Sequence, residues 1–281
     1  MSQDQAVPAS IRLAWGASTD RGRRRTTNED SFLADHPLFL VADGMGGHEA
    51  GEVASAAAIS AFLPLVGNPT LSVDEVREAL SAAKSTVFAI ADALGSGAAG
   101  TTLTGVAVTE QGGSPYWIVI NLGDSRTYML TDGVLEQVSV DHSLVQELIE
   151  SGELEQSHAG VDPRRNVITR AIGAGNQGEA DFWLIPANTG ERILICSDGL
   201  TGELDDAAIT MVLLEETGAQ DAANRLVHEA LLHGGRDNVT VLVVDVLGTA
   251  TGESDPETAK TAVGDDYSDD TYPREQLLAG G

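Results

Sequence analysis

Short apolar runs that stop at an aspartate recur along this chain. The run from Phe39 to Ala42 leads into Asp43-Gly44, and Ile195-Cys196-Ser197 leads into Asp198-Gly199. Runs this short do not make a helix but suit a strand in a protein core. The pattern predicts buried strands that present a carboxylate at their end, beside a glycine that leaves the backbone accessible.

Apolar spacing predicts the remaining elements. Ser72 and Glu75 have the spacing of a capping box, and apolar residues recur at helical intervals from Val73 to Leu94. Further helices are predicted over 52–65, 144–151, 205–216 and 220–233, and strands over 11–17, 101–108, 116–122, 128–130, 134–138, 182–185, 192–196 and 239–246. Weak periodicity between Glu150 and Asn166 predicts a mobile flap, covering about 143–178.

Composition favours a single globular domain followed by a tail. The chain has 281 residues, of which 42% are hydrophobic, enough for a large core. The predicted domain covers residues 1–247. From Gly248 onward, acidic residues outnumber basic ones among Gly, Thr and Ser, so an acidic, disordered tail is expected over 248–281.

Charge and cysteine content exclude several classes of protein. With 16 Lys+Arg against 43 Asp+Glu, the net charge is −27, which opposes binding to nucleic acid or to an anionic membrane. The one cysteine, Cys196, excludes an intrachain disulfide and suits a reducing cytosol. No signal peptide is recognisable, and the longest small and apolar stretch, 54–66, is too short to span a membrane. A cytoplasmic protein is expected.

The glycines after Asp43 allow several interpretations. A dinucleotide-binding loop fails because Glu49 stands where a third small residue is required, and a phosphate loop fails because Glu52-Val53 replace Lys and Ser/Thr. A tight turn with a capping Asp stays open. A divalent metal site also agrees, because a carboxylate beside bare backbone carbonyls suits hard cations such as Mg²⁺ or Mn²⁺.

Four of the scarce cations are arginines in the segment 21–25, just before the carboxylates Glu29 and Asp30. One interpretation is a solvated loop whose charges pair with one another. The other is that Arg25 holds a phosphoryl group near a metal site, since a guanidinium binds phosphate through a planar fork of donors.

Four carboxylates are thus predicted at strand ends, namely Asp43, Asp124, Asp198 and Asp237. Each alone could be a turn residue. Together they could hold two or three ions, about 3.5 to 4 Å apart, that share a water and lower its pKa. Such a site needs no serine or cysteine nucleophile, and Cys196, inside an apolar strand, is assigned to packing.

Six motifs occur in a specific order: RTTNED from Arg25, VADGMGGH from Val41, GTTLT from Gly100, GDSR from Gly123, SDG from Ser197, and DN at Asp237. This ordered set, within residues 12–247, resembles the metal-dependent protein phosphatases of the 2C type in their bacterial form. The resemblance implies an α+β fold, a four-layer α-β-β-α sandwich in which two central antiparallel sheets are flanked by helices. It places metal ions in a cleft at one end.

The resemblance also implies the metal ligands. Asp43 would bridge two Mn²⁺ or Mg²⁺ ions, the carbonyl of Gly44 would contact one of them, and Asp198 and Asp237 would hold the other. Asp124, together with Asp198, resembles the ligands of a third ion in bacterial members.

Catalytic roles follow from the same resemblance. Glu29 and Asp30 would hydrogen-bond metal-bound water, Arg25 would bind the phosphate, and His48 is the candidate proton donor. His48 comes five residues after Asp43, whereas eukaryotic-type members place this histidine close behind the Asp-Gly pair. The implied reaction is direct attack of a metal-bridging hydroxide on the phosphorus of phosphoserine or phosphothreonine, without a phosphoenzyme.

The implied partners are phosphorylated proteins, including a Ser/Thr protein kinase whose signalling the enzyme would reverse, and a monomer is expected. In the flap, Asp162-Pro163 stands where bacterial relatives often have His-Pro, which concerns substrate choice. The alternative is a catalytically weak or specialised regulatory member of the same fold that acts as a binding module. The presence of every expected carboxylate favours the enzyme.

Overall fold

Strands and helices of the chain follow an α+β order. A computed structural model describes residues 10–46, 50–93, 99–164, 167–173 and 178–250. The strands in these ranges are β1 (Ser10–Asp20), β2 (Asp30–Asp35), β3 (Leu38–Met45), β4 (Gly100–Thr101), β5 (Leu103–Gln111), β6 (Ser114–Leu122), β7 (Arg126–Thr131), β8 (Val134–Gln137), β9 (Asp181–Pro186), β10 (Arg192–Cys196) and β11 (Val239–Ala250). The α-helices are α1 (Ala50–Ser60), α2 (Val73–Ala93), α3 (Leu144–Glu150), α4 (Asp198–Thr201), α5 (Asp206–Glu215) and α6 (Ala219–His233), and 3₁₀ helices cover Leu63–Leu65 and Gln156–Val161.

These strands form two antiparallel sheets. One sheet has the order β1-β11-β10-β7-β8, and the other has the order β2-β3-β5-β6-β9, with β4 paired to β3. Ser10 lies opposite Ala250, so the first and last described strands are neighbours. In the second sheet, Asp30 lies opposite Asp43. Strand register therefore brings together residues that are far apart in sequence.

Three apolar layers hold the sheets and helices together. The layer between the two sheets includes Phe39, Trp117 and Ile195, all fully buried. A second layer joins α1 and α2 to the β3 sheet, and a third joins α5 and α6 to the β11 sheet. Along β3, Phe39 and Val41 belong to the inter-sheet layer while Leu40 belongs to the helix layer. Because both faces are covered, the strands are continuous apolar runs, and each fully buried side chain of this kind contributes about 1.5–3 kcal/mol.

The predicted four-layer sandwich is confirmed. Two helix starts predicted from capping residues are also confirmed. Glu75 donates its N–H to Ser72 Oγ at 3.2 Å and accepts the Ser72 N–H at 2.8 Å, so the predicted capping box begins α2. Asp205 caps α5 by accepting the Ala208 N–H at 2.8 Å. No helix in the described ranges is long and apolar enough to cross a membrane.

Some element boundaries differ from the predicted ones. The helix expected to reach Leu65 ends at Ser60, and Pro64 lies in the 3₁₀ turn that follows, because its ring cannot continue an α-helix. The strand β2 is absent from the predictions. Strand β11 extends to Ala250, beyond the domain boundary placed at 247, because its pairing with β1 continues to Ser10. Residues 251–281 lie outside the described residues, so the disordered tail stays a prediction.

Candidate metal centre

The predicted carboxylates come together at one end of the two sheets. Asp43 lies in β3 and faces Asp30 of β2 across the ladder, while Asp124 follows β6 in the same sheet. Asp198 follows β10 and Asp237 precedes β11 in the other sheet. The charges of Asp30, Asp198, Asp124 and Asp237 all act on the carboxyl group of Asp43, so the five side chains form one cluster.

The backbone of Asp43 is fixed by two threonines. Thr101 Oγ1 and the Thr102 N–H donate to the Asp43 carbonyl, each at 2.9 Å, and Thr102 Oγ1 is 2.9 Å from the Asp43 nitrogen. Asp43 was predicted at a strand end, and this position is wrong. It lies inside β3, because β4 pairs with Gly44 and Met45 and extends the strand.

Gly44 permits a close approach of three backbone segments. Its N–H donates to the Glu29 carbonyl at 3.1 Å. A Cβ atom at Gly44 would lie 2.3 Å from the carbonyl oxygen of Gly51 and 2.5 Å from that of Glu29. Any side chain at position 44 would push α1 and the Glu29 segment away from the cluster.

Asp30 is buried with only one of its oxygens satisfied. Oδ2 accepts hydrogen bonds from Ser197 Oγ at 2.9 Å and Thr240 Oγ1 at 2.7 Å. Oδ1 is buried and has no hydrogen-bond partner among the described residues. Burial raises the pKa of Asp30 to about 7, and the charges of Asp198 and Asp237 add to the effect, against the two hydroxyl hydrogen bonds.

The pKa values of the other buried carboxyl groups are also raised by burial and by neighbouring negative charges. Burial raises the pKa of Asp124 to about 8, and the nearby charges of Asp198 and Asp141 add to it. The pKa values of Asp43 and Asp198 are also raised, first by burial and then by their acidic neighbours. For Asp198, the interaction with the Asp43 carboxyl group and the charges of Arg25 and Arg126 oppose this rise.

The donor set fits a hard divalent cation. The cluster offers carboxylate oxygens, including the buried Oδ1 atoms of Asp30 and Asp124, which have no partner within the described ranges. Oxygen ligands are those that Mg²⁺ and Mn²⁺ prefer, and a divalent charge would remove the mutual repulsion. In the part of the chain that the structure describes, no three Asp, Glu, His or Cys side chains are arranged as a ready metal cage. The individual ligand assignments therefore stay predictions.

Arg25 and Glu29 lie at the same site. Arg25 Nη2 is 2.6 Å from Asp237 Oδ2, and its Nη1 is 4.0 Å from Glu29 Oε2. The Arg25 side chain is about half exposed, at 48%, so it stands at the rim of the cluster. Burial raises the pKa of Glu29, the Arg25 charge opposes this shift, and the Asp237 charge adds to it. The structure brings both predicted residues to the cluster, while their catalytic roles stay predictions.

Asn238 is a residue to which the sequence interpretation assigned no role. Its Nδ2 donates to the carbonyls of Arg21 and Thr27, each at 2.9 Å, and its Oδ1 accepts the Glu29 N–H at 2.9 Å. The side chain is 4% exposed. Asn238 thus ties the segment that carries Arg25 and Glu29 to the start of β11. The signal available in the sequence was its place in the DN motif.

His142 likewise had no predicted role. Its Nδ1 accepts the Gly123 N–H at 3.2 Å and its Nε2 lies 3.0 Å from Asp181 Oδ2, so the ring joins the loop of Asp124 to β9. Next to it, the guanidinium of Arg126 contacts both carboxylate oxygens of Asp141 at 2.7–3.0 Å. These contacts fix the point where the predicted flap leaves the sheet.

A cleft of about 230 Å³ lies beside the cluster. Asp124 and Asp198 line one part of it, and Ser143, Gln146 and Ala159 of the predicted flap line another. Asp124 and Asp198 therefore border a space that a small group could enter between α4 and the flap. His48, the predicted proton donor, lies outside the described residues, as do residues 165, 166 and 174–177 of the flap.

Comparison with known proteins decides the family. The sequence profile described as protein phosphatase 2C matches residues 19–231. The chain belongs to this family. The match includes Asp43, Asp124 and Asp198 and ends before Asp237.

Curated relatives are bacterial phosphatases. Over 260 residues the chain is 38% identical to the serine/threonine protein phosphatase PstP of Mycobacterium tuberculosis, covering 90% of this chain and 49% of the relative. The chain thus spans about half the length of that relative. It is 34% identical over 239 residues to the serine/threonine phosphatase stp of Listeria monocytogenes, covering 81% of this chain and 93% of the relative.

Solved structures agree with the sequence comparisons. The crystal structure of M. tuberculosis PstP matches with a TM-score of 0.79 at 36% identity, covering 84% of this chain and 99% of that one. The catalytic domain of a PstP in complex with two manganese ions matches with a TM-score of 0.77 at 36% identity, covering 85% of this chain and all of that one. The sandwich described above is therefore the fold of this family.

Proposed function

We propose that the chain is a metal-dependent protein serine/threonine phosphatase that hydrolyses the phosphate esters of phosphoserine and phosphothreonine. The observation that carries the proposal is the cluster of five carboxyl groups from both sheets, with Arg25 at its rim. Two relatives that are named serine/threonine phosphatases support the same activity. A solved structure of a relative in complex with two manganese ions supports the dependence on metal.

The residues of the cluster divide into ligands and groups that position substrate and water. Asp43 and the Gly44 carbonyl, with Asp198 and Asp237, would hold two Mn²⁺ or Mg²⁺ ions. Asp124, with Asp198, would hold a third. When bound, such ions supply charge neutralisation and activate a water for attack on phosphorus.

Side chains around the ions have separate tasks in this proposal. Arg25 binds the phosphoryl oxygens through N–H groups that do not contact Asp237. Asp30, fixed by Ser197 and Thr240, directs its unpartnered Oδ1 at water in the site and keeps that water oriented. Glu29 would accept a hydrogen bond from water in the site. His48 is assigned to protonate the leaving serine or threonine oxygen.

Partners and location complete the proposal. The substrates are phosphorylated proteins, including a Ser/Thr protein kinase, and the enzyme acts as a monomer in the cytoplasm. Cys196 takes no part in the chemistry, because it is fully buried in β10.

The decisive experiment measures hydrolysis of an aryl phosphate and a phosphothreonine peptide by the full chain with Mn²⁺, with Mg²⁺ and with a chelator. We expect turnover only with a divalent ion, and a loss of at least about a hundredfold in Asp43→Asn. The matched control is Asp132→Asn, in the exposed β7–β8 turn, where Asn tolerates the φ of 52°.

The same variants test whether Asp43 is structural. In chelator, Asp43→Asn removes one charge from a repelling cluster, so its melting temperature should equal or exceed that of the parent. Full turnover after metal removal would refute the metal-dependent mechanism. Folded protein that binds phosphopeptide without turnover in any metal would favour the regulatory binding module instead.

A further inference from the structure

The segment 21–25, here called the arginine loop, concentrates positive charge on an acidic molecule. It holds four of the 16 Lys and Arg residues of a chain whose net charge is −27. All four arginine side chains are exposed. One of them, Arg25, points to the carboxylate cluster, so the loop forms part of the rim of the candidate active site.

Three of these arginines lack a carboxylate partner. Within the described residues, no carboxylate oxygen lies within 4.0 Å of the guanidinium nitrogens of Arg21, Arg23 or Arg24. These three side chains are therefore solvated, as one interpretation of the loop expects, but they are not paired with its carboxylates. Of the four arginines, Arg25 alone forms ion pairs with described residues, namely Asp237 at 2.6 Å and Glu29 at 4.0 Å.

Neighbouring acids are already satisfied by other groups. Asp20 Oδ1 accepts the Gly22 N–H at 2.8 Å. Glu203, only 3% exposed, accepts three hydrogen bonds from the backbone and guanidinium of Arg236 at 2.8–2.9 Å. The pKa of Glu203 is lowered first by these bonds and last by the charge of Arg24, so Arg24 stands near an acid that is neutralised by another arginine.

The backbone of the loop is held in place. Asn238 binds the carbonyls of Arg21 and Thr27, and the Arg23 N–H donates to the Gly235 carbonyl at 2.7 Å. Gly22 has a φ of 76°, and a Cβ there would lie 2.1 Å from the Asp237 carbonyl oxygen. Arg21 Nη1 donates to the Thr26 carbonyl at 3.5 Å. The guanidinium groups of Arg21, Arg23 and Arg24, which have no carboxylate partner among the described residues, are thus presented by a fixed backbone, which lowers the entropy cost of binding a partner.

We propose that the arginine loop binds aspartate and glutamate side chains that flank the phosphorylated residue of the substrate, so that the enzyme prefers acidic phosphoproteins. This inference rests on the proposed function. Consecutive Cα atoms are about 3.8 Å apart, so Arg23 and Arg24 lie within a few ångströms, along the chain, of the phosphate-binding Arg25. A substrate whose phosphate contacts Arg25 and whose chain follows the loop would bring its flanking residues to Arg23 and Arg24.

Because the whole molecule is strongly acidic, an acidic substrate needs local positive charge at the site where it docks. A net charge of −27 repels an acidic polypeptide at long range. A fixed cationic patch beside the site offsets this repulsion where the substrate docks. Each exposed arginine–carboxylate pair contributes modestly, so two pairs should raise kcat/KM by about fivefold at low salt.

The test compares two phosphothreonine peptides. One has Asp and Glu beside the phosphothreonine, and the other has Asn and Gln at the same positions. For the full chain with Mn²⁺, the ratio of kcat/KM, acidic over neutral, should be about five at low ionic strength and approach one in high salt. The ratio should also approach one in the double variant Arg23→Gln/Arg24→Gln. Arg12→Gln, an exposed single-charge control near the opposite end of β1, should keep the parent ratio, and Arg24→Gln alone should lower it.

Fluorescence anisotropy of the same labelled peptides measures binding without turnover. A ratio near or below one in the parent, or a preference that survives in the double variant, overturns the inference. If the parent hydrolyses neither an aryl phosphate nor either peptide, the proposed function fails instead, and the anisotropy ratio alone then decides whether the loop binds acidic peptides.

Discussion

Replacing Asn238 by alanine should destabilise the fold and displace Arg25 and Glu29 together. The side chain is buried and makes three hydrogen bonds, two to the carbonyls of Arg21 and Thr27 and one from the Glu29 N–H. The two bonds to the carbonyls contribute about 1 kcal/mol net each, and leaving the Glu29 N–H buried without an acceptor adds a further cost of about 1–3 kcal/mol. We therefore expect the free energy of unfolding to fall by about 3–5 kcal/mol.

The assay is thermal or urea unfolding in the presence of a chelator, so that metal binding does not contribute to the measured stability. For a domain of this size each kcal/mol lowers the melting temperature by about 2–4 °C, so a fall of about 10 °C is expected. With Mn²⁺ restored, KM for a phosphopeptide should rise, because Arg25 loses its fixed position.

Two further variants isolate the hydrogen bonds. Asn238→Asp keeps the side-chain volume but sets a carboxylate against the Arg21 and Thr27 carbonyls, and it should destabilise at least as much as alanine. Asn224→Ala, on the exposed surface of α6, should change stability by no more than about 0.5 kcal/mol. If Asn238→Ala behaves like Asn224→Ala, Asn238 does not hold the loop and the reasoning is refuted.

Three other outcomes can be checked with the same protein. Arg25→Ala should raise KM for phosphopeptides while Mn²⁺ affinity is largely kept, and an unchanged KM would exclude phosphate binding by Arg25. Asp124→Ala should retain two bound ions by calorimetry yet turn over more slowly, and complete loss of metal binding would place Asp124 in the core pair. Cys196 is fully buried, and burial raises the pKa of its thiol to about 12, so it should react with a thiol reagent only on unfolding; rapid labelling of the native protein would contradict the structure.

The sequence predicts the fold best where a local signal carries it. The capping box at Ser72 and the cap at Asp205 act within one turn, and both helices begin where expected. The strand β2 was missed because its six residues alternate weakly and follow a polar segment. It exists because Asp30 to Asp35 pair with β3, a contact that requires the register of the whole sheet.

For the site, the sequence predicts which chemical groups are present and not how they are held. Asp43, Asp124, Asp198 and Asp237 were chosen because each lies next to glycine or follows a glycine pair near an apolar run. Their positions depend on residues of ordinary types. Thr101 and Thr102 hold Asp43, and Ser197 and Thr240 hold Asp30, and these contacts span 58 to 210 residues of sequence. Such separations have no periodic signal, so only the folded chain shows them.

The charges of the site bear on the order in which metal ions and substrate bind. Five carboxyl groups meet around the position expected for the phosphoryl group, namely those of Asp30, Asp43, Asp124, Asp198 and Asp237. Among the described residues, Arg25 is the cation that pairs with this cluster, through Asp237. A phosphate ester carries up to two negative charges, and like charges about 4 Å apart in a partly buried site repel by several kcal/mol. We therefore expect the phosphate to bind beside these carboxyl groups only after divalent ions have neutralised the charge that they carry. On this argument metal binding comes first, and we expect the arginines of the arginine loop that have no carboxylate partner among the described residues to act on the rest of the substrate, where no ion is required.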